Sequence, residues 1–184
     1  MRRLTMLLLL LLVSPVVGCS SRTQIDRWVV TQGGTVSDQR LDRARSLAAA
    51  FCDSRHGVKL EVAVLDREHL SAFSWPGGHI FLSRGLIDSL DDAALSAAIA
   101  HEIAHVLNHK HSKGVVALRE SGARLAEEVR ADRLGVQLLQ SAGIPGDAMA
   151  TMLECVLHAG DLPPQVQADL RHRAKLLRSW SHVD

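Results

Sequence analysis

The residues best placed to do chemistry in this chain form a His-Glu-x-x-His pattern near its middle. His101, Glu102 and His105 lie within a helix predicted over residues 92–108. Residues four apart share one face of a helix, so both imidazoles can reach a single cation. Glu102 can approach a metal-bound water rather than the metal itself. Zn²⁺ suits such a site, because two imidazoles and a carboxylate bind it tetrahedrally and leave a fourth position open.

The apolar residues on both sides of this pattern predict that its helix is buried. With ten histidines in the chain, a chance His-Glu-x-x-His is more frequent than usual, so independent support matters. Two histidines and a glutamate that face a core cost several kcal/mol unless they are paired or bound to a metal. The flanking sequence therefore favours a metal site over a coincidence.

Two acidic residues downstream complete the predicted site. Glu128 and Asp132 are again four apart, on a helix predicted over residues 114–140. Glu128 can supply the third zinc ligand. Asp132 can accept a hydrogen bond from the far nitrogen of a ligand histidine and fix its tautomer. The alternative is a solvated helix face on which these carboxylates pair with neighbouring arginines. The four-residue spacing of Glu128 and Asp132, which matches that of the two histidines, favours the ligand role for Glu128.

The elements that position these residues follow from hydrophobic periodicity and from glycine and proline turns. A helix is predicted over residues 38–54, and a small three-stranded sheet follows it. The strands are predicted over residues 58–65, 69–74 and 79–83, and the later helices over residues 92–108, 114–140, 145–160 and 166–180. This order gives the fold class α+β, a mostly helical domain with the metal-binding motif on a central helix.

Three segments together resemble a known family of zinc metallopeptidases. Residues 128–132, which follow the His-Glu-x-x-His pattern, resemble the family that contains HtpX, the CAAX prenyl proteases and the Oma-type enzymes. Residues 72–81 and 85–86 look like the edge-strand segment of that family. Within the family, the chain is similar to the periplasmic lipoproteins of the LoiP and BepA kind.

The resemblance implies a zincin-type (gluzincin) fold and a zinc metalloendopeptidase with one Zn²⁺ per chain. His101, His105 and Glu128 would hold the zinc, and Glu102 would activate the zinc-bound water. The strand over residues 79–83 would bind an extended substrate by edge addition. The implied substrates are unfolded or misfolded cell-envelope proteins. An association with outer-membrane assembly machinery is implied by resemblance only.

An alternative from another functional class is a non-proteolytic metal-binding lipoprotein that acts as a chaperone or scaffold in the envelope. Such pseudo-enzymes usually lose the glutamate base or one of the metal ligands. Here Glu102 and all three predicted ligands are present. The sequence therefore favours the peptidase.

A C-terminal feature of the family is only partly present. The family usually carries a His-Pro pair followed by an arginine, whereas His172 is followed by Arg173, and Arg178 stands at the position of the family's arginine. By resemblance, His172 would approach the zinc as a fourth, self-inhibiting ligand or, with Arg178, stabilise the reacting oxyanion. The alternative is a surface histidine on a basic amphipathic helix.

The N-terminus has the features of a secretory leader. Two arginines precede an apolar run over residues 4–17, which is shorter than the roughly 20 residues of a membrane-spanning helix. Residues 1–18 resemble a bacterial lipoprotein signal peptide, after which Cys19 is lipidated and becomes the first residue. Ser20 then implies, by resemblance to enterobacterial sorting, a periplasmic protein anchored to the outer membrane.

The rest of the chain is predicted to be a short anchor segment and one domain. Residues 19–36 are mostly polar and are predicted to be the lipidated N-terminal tether. Residues 37–184 are predicted to be the metallopeptidase domain. The formal net charge of the chain is +1, which argues against nucleic acid as a partner and leaves the lipid as the contact with the membrane.

Two cysteines remain once Cys19 is lipidated. Cys52 and Cys155 can form a disulfide in an oxidising periplasm. The alternative is two separate buried thiols, which are common in folded proteins.

Overall fold

A computed structural model describes residues 22–51, 59–75, 77–111, 121–159 and 162–180. Their elements, in chain order, are α1 (Arg22–Thr31), β1 (Thr35–Val36), α2 (Gln39–Ala49), β2 (Glu61–Leu65), β3 (Ala72–Trp75), β4 (His79–Ser83), α3 (Arg84–Ser89), α4 (Asp92–His111), α5 (Ser121–Ser141), α6 (Ala148–Ala159) and α7 (Pro164–Trp180). The fold is α+β and mostly helical, which confirms the predicted class. The predicted signal peptide, Cys19 and Cys52 lie outside the described residues.

The sheet has four strands rather than the predicted three, in the order β1-β2-β4-β3. Strand β2 pairs with β4 in parallel, and β3 pairs with β4 antiparallel. Strand β4 therefore lies inside the sheet with a partner on each side. The expectation that residues 79–83 form the substrate-binding edge is wrong, because the edge strands of this sheet are β1 and β3.

The segment predicted to be a tether is folded from residue 22 onward. Helix α1 lies against the sheet, with Ile25 buried and the Trp28 ring 5.4 Å from that of Phe73 and 4.9 Å from that of Phe81. Strand β1 extends the sheet by pairing with β2. The prediction was wrong because α1 has a single short apolar stripe, whose burial depends on aromatic residues far along the chain.

The two faces of the sheet bury different apolar clusters. Val62 and Val64 of β2 pair in register with Ile80 and Leu82 of β4, and these side chains join the main core. The alternate residues of the same strands, with Phe81 among them, face α1. This alternation is the period of two that a strand imposes on its side chains.

Helix α4 is the central helix of the main core, as the sequence predicts. It packs against α5, α6, α2 and the sheet. Its buried apolar residues are Ala94, Leu95, Ala97, Ala98, Ile99, Ala100, Ile103, Ala104, Val106 and Leu107. The many alanines let neighbouring elements approach closely from several sides. Among the residues that the structure describes, no helix has both the length and the apolar character needed to cross a membrane.

Candidate metal centre

The structure brings His101, His105 and Glu128 together at the contact between α4 and α5. The two Nε2 atoms of the histidines lie 3.1 Å apart. Glu128 Oε2 lies 3.4 Å from His101 Nε2, and Glu128 Oε1 lies 3.6 Å from His105 Nε2. Ligand atoms about 2.1 Å from a tetrahedral zinc ion stand about 3.4 Å apart. The three side chains therefore already have the spacing of a zinc ligand set.

A glycine inside α5 permits the close helix contact behind these donors. A Cβ atom on Gly135 would lie 2.4 Å from Met149 Cε and 3.4 Å from the backbone nitrogen of His101. An alanine here would require the Met149 side chain of α6 to move, and its Cβ would stand in tight contact with the backbone of the first histidine. The sequence signal for this contact is a glycine in the middle of a helix, where it otherwise costs stability relative to alanine.

Asp132 lies behind the first histidine, one turn along α5 from Glu128. Its Oδ1 is 3.0 Å from His101 Nδ1, and its side chain is 1% exposed. The carboxylate therefore lies beside Nδ1, while Nε2 on the other side of the ring faces Glu128 and His105. Asp132 thus has the position of the group that fixes the tautomer and orientation of a ligand histidine.

Arg173 on α7 is a site residue that the sequence analysis did not identify. Its Nε and Nη2 each donate to one oxygen of Asp132 at 2.7 Å, and its Nη1 donates to Glu128 Oε2 at 2.7 Å. Paired contacts of this kind are strong and fix geometry as well as charge. The signal for it was present, because Arg173 stands on the apolar stripe of α7 with Leu170, Ala174 and Leu177.

His172 and Arg178 are not brought to the donors, which corrects the expectation for both. Helix α7 runs unbroken through these positions, and successive helical residues point about 100° apart. Because Arg173 faces the site, His172 lies on the exposed side of the helix. Arg178 faces α6, where its Nη2 contacts Glu154 Oε2 at 2.7 Å.

The charges around the donors favour a cation. Burial lowers the pKa of His101, but its hydrogen bonds with Asp132 and Glu128 outweigh this and raise it to about 9. Burial raises the pKa of Glu128, but the His101 hydrogen bond and the Arg173 charge lower it to about 2. With both imidazoles neutral, as metal binding requires, the carboxylates of Glu102, Glu128 and Asp132 outnumber the single guanidinium of Arg173 by two charges, which a divalent cation would neutralise.

Glu102 lies on α4 next to the donors but outside the ligand set. It is 8% exposed, and burial raises the pKa of its carboxyl group, although the charge of His101 and a hydrogen bond with Ser74 oppose the shift. Ser74 belongs to the edge strand β3. The Glu102 carboxylate therefore lies between the candidate metal ligands and the edge of the sheet, where it can act as an acid or a base.

The structure leaves the predicted disulfide untested. Cys155 lies half-buried on α6 and forms no disulfide with another residue that the structure describes. Cys52 is outside the described residues. A bond between the two stays a prediction.

One comparison with known proteins bears on this site. Residues 37–121 match Peptidase family M48. The matched segment includes His101, Glu102 and His105 and ends before Glu128 and Asp132, and it does not distinguish the LoiP and BepA kind from other members. A search of the curated proteins found no match. Over this segment the chain is similar to Peptidase family M48, and Glu128 on α5 completes a His-His-Glu cluster with the two histidines of the segment.

Proposed function

We propose that this protein is a zinc-dependent endopeptidase that cleaves unfolded polypeptides. The observation that carries the proposal is the spacing of the donors: the ligand atoms of His101, His105 and Glu128 all lie within 4.8 Å of one another. Zinc held there would polarise the scissile carbonyl group and lower the pKa of its water to about 7. One Zn²⁺ per chain is expected.

Glu102 is the proposed general base. It stands one residue from a ligand histidine on the same helix, so it faces the reaction without occupying a metal position. Burial raises the pKa of its carboxyl group toward neutral pH. Such a pKa suits a group that must accept a proton and then release it to the leaving amine. Ser74 on β3 opposes this shift, which places the edge strand beside the carboxylate.

The edge strand β3 is the proposed substrate-binding strand. One side of β3 pairs with β4, and the other is the edge of the sheet. An extended peptide can pair with such an edge through backbone hydrogen bonds. Since Ser74 of β3 contacts Glu102, a peptide bound there would pass beside the general base. Binding through the backbone requires an unfolded or flexible substrate.

The proposed setting is the bacterial periplasm, with the protein anchored to the outer membrane through a lipid on Cys19. The support is the leader-like sequence over residues 1–18. Only Ser20 and Ser21 separate Cys19 from α1, so the anchor would keep the domain near the lipid surface. Misfolded envelope proteins are the proposed substrates. Labelled palmitate should enter the wild-type protein and not a Cys19→Ser variant; equal labelling of both would contradict the anchor.

Cleavage and zinc content together test the proposed activity. The purified protein without its leader should bind one Zn²⁺ and degrade an unfolded protein such as casein. Glu102→Gln should keep the zinc and lower the cleavage rate by about 10²–10⁴-fold, the usual contribution of general acid–base catalysis. Glu61→Gln, an exposed glutamate on β2, is the matched control and should cleave normally.

Two other results would decide against the proposal. Unchanged cleavage by Glu102→Gln would rule out the general base. A wild-type protein that binds zinc and prevents aggregation of unfolded proteins, without cutting them, would support the alternative of a chaperone or scaffold.

A further inference from the structure

Helix α1 is the element of the domain that follows the proposed lipid anchor most closely. Cys19 precedes its first residue, Arg22, by three positions. An extended chain spans at most about 3.6 Å per residue, so a lipid on Cys19 would lie within about 11 Å of the helix. The helix is itself fixed to the sheet by the buried Ile25 and by the aromatic rings around Trp28. The anchor would therefore bring α1 to the membrane surface.

One face of α1 packs on the sheet, and the opposite face is open to solvent. Thr23, Arg27 and Val30 form this outward face, because their spacing of four and then three residues places them on one side of a helix. All three are exposed. Val30 is 75% exposed, more than Val166, the other exposed large apolar residue in the described part of the chain. An apolar side chain beside a basic one is typical of helices that lie on a lipid surface.

The surroundings of the outward face also suit a bilayer. Helix α1 contains two arginines, Arg22 and Arg27, and one acidic residue, Asp26, so its net charge is +1 and favours anionic headgroups. Trp28 and Trp75 are two of the three tryptophans of the chain, and they lie half-buried on this side of the sheet with their rings 5.6 Å apart. Tryptophan is enriched where proteins meet the membrane interface.

The sheet separates α1 from the candidate metal centre. Val64 and Leu82 point to the main core, which contains α4 and its two metal-site histidines. Phe81, between them in the sheet, points to the other side and contacts Trp28 of α1. If α1 faces the lipid, the metal centre therefore lies on the side of the sheet that is turned away from it.

We propose that the outward face of α1 lies on the phospholipid surface and holds the domain with its metal centre turned away from the bilayer. The inference rests on the proposed lipid anchor and is independent of the peptidase activity. The short link to Cys19 imposes the contact, and Val30 and the two arginines make it favourable. The metal centre would then receive polypeptide segments that project from the membrane into the surrounding solution.

Quenching of tryptophan fluorescence by brominated phospholipids tests this contact. The lipidated protein is reconstituted into vesicles of phosphatidylethanolamine and phosphatidylglycerol, with and without bromine on the acyl chains. Val30→Trp adds an emitter to the outward face, and Val166→Trp adds one to α7, which packs on α5 and α6. The emission added by Val30→Trp should be lost in brominated vesicles, and that added by Val166→Trp should persist. Both positions are exposed, so neither substitution should disturb the fold.

A spacer tests whether the short link imposes the contact. About 20 Gly and Ser residues inserted between Ser21 and Arg22 would have an average span of roughly 25 Å. The emission of Val30→Trp should then recover in brominated vesicles, because the helix can leave the lipid surface. An unchanged loss of emission would contradict the role of the link.

The other outcomes separate this inference from the anchor on which it rests. Vesicle flotation of the Val30→Trp protein without any loss of emission would overturn the contact and leave the anchor standing. Equal loss for Val30→Trp and Val166→Trp would overturn the fixed orientation. A spectral shift of Val30→Trp with rising protein concentration in detergent would assign the face to a second copy of the chain instead. A wild-type protein that does not float with vesicles would overturn both the anchor and the contact.

Discussion

The two sides of helix α5 at the candidate site differ in how their charges are satisfied. Toward α7, the Asp132 and Glu128 carboxylates accept three hydrogen bonds of 2.7 Å from Arg173. Toward α4, Glu128 Oε1 lies 3.6 Å from His105 Nε2, a spacing that suits ligands around an ion. The α7 side is a closed network that needs no metal, and the α4 side gains its full set of contacts when a cation binds.

This difference means that a single carboxylate serves two purposes. One oxygen of Glu128 lies in the α7-side network, and the other points toward the second histidine. The α7-side network would therefore position Glu128, the proposed ligand, before a metal ion binds, which would lower the ordering cost of binding. Substitutions that affect one side at a time should separate how tightly the Glu128 side chain binds zinc from how well the Arg173 network positions it.

The largest effect is expected from Glu128→Gln, which affects mainly the α4 side. The amide oxygen can still accept from Arg173, but a neutral amide is a poor zinc ligand. We expect zinc affinity to fall by more than the roughly 100-fold that loss of an outer contact causes, and cleavage to disappear with it. Competition with a chromogenic chelator measures the affinity.

The neighbouring Glu127 gives the matched control for that variant. Glu127→Gln removes the same charge from the same helix, outside the ligand set. It should bind zinc as the wild type does. Normal zinc affinity in Glu128→Gln would show that the third ligand is misassigned.

The next effect is expected from Arg173→Met, which breaks the α7 side. Two carboxylates lose their counter-charge, and Asp132 is 1% exposed. Removal of one partner of a buried ion pair costs about 3–5 kcal/mol. We expect a loss near the lower figure in the metal-free protein, because Glu128 is 27% exposed and partly solvated. Urea unfolding measures this free energy.

Zinc should reverse part of the Arg173→Met defect, because a divalent cation neutralises the same carboxylates. The loss of unfolding free energy should therefore be smaller in zinc than in chelator. Arg173→Lys keeps the positive charge without the paired hydrogen bonds. Its unfolding free energy should therefore lie between those of the wild type and Arg173→Met. An equal loss with and without zinc would show that the network and the metal site are independent.

The same two sides show what the sequence could predict. Positions 101, 102 and 105 share α4, and positions 128 and 132 share α5, so helical periodicity alone fixes their relative placement. The contact between α4 and α5 was inferred from chemistry, since buried donors need a common cation. Local spacing and the cost of burial were therefore sufficient to predict that these donor side chains lie together.

Contacts that depend on how distant elements dock could not be predicted. Whether His172 or Arg173 faces the site depends on the rotation of α7 about its axis, and the family pattern suggested the wrong residue. The order of strands is non-local in the same way, so β4 was mistaken for the edge. Helix α1 was read as a tether because its partners on the sheet, Phe73 and Phe81, lie about 50 residues away.

The smallest effect is expected from the two α7 residues that face away from the site. Arg178 and Glu154 are each about 40% exposed, and an exposed ion pair contributes about 0–1 kcal/mol. Arg178→Gln should therefore lower the unfolding free energy by less than about 1 kcal/mol. His172→Ala should leave zinc affinity and kcat/KM within about twofold of wild type, the range of most surface substitutions. A tenfold or larger rise in activity for His172→Ala would instead indicate a state in which this histidine reaches the metal and blocks it, and α7 would then have to rotate relative to the structure described here.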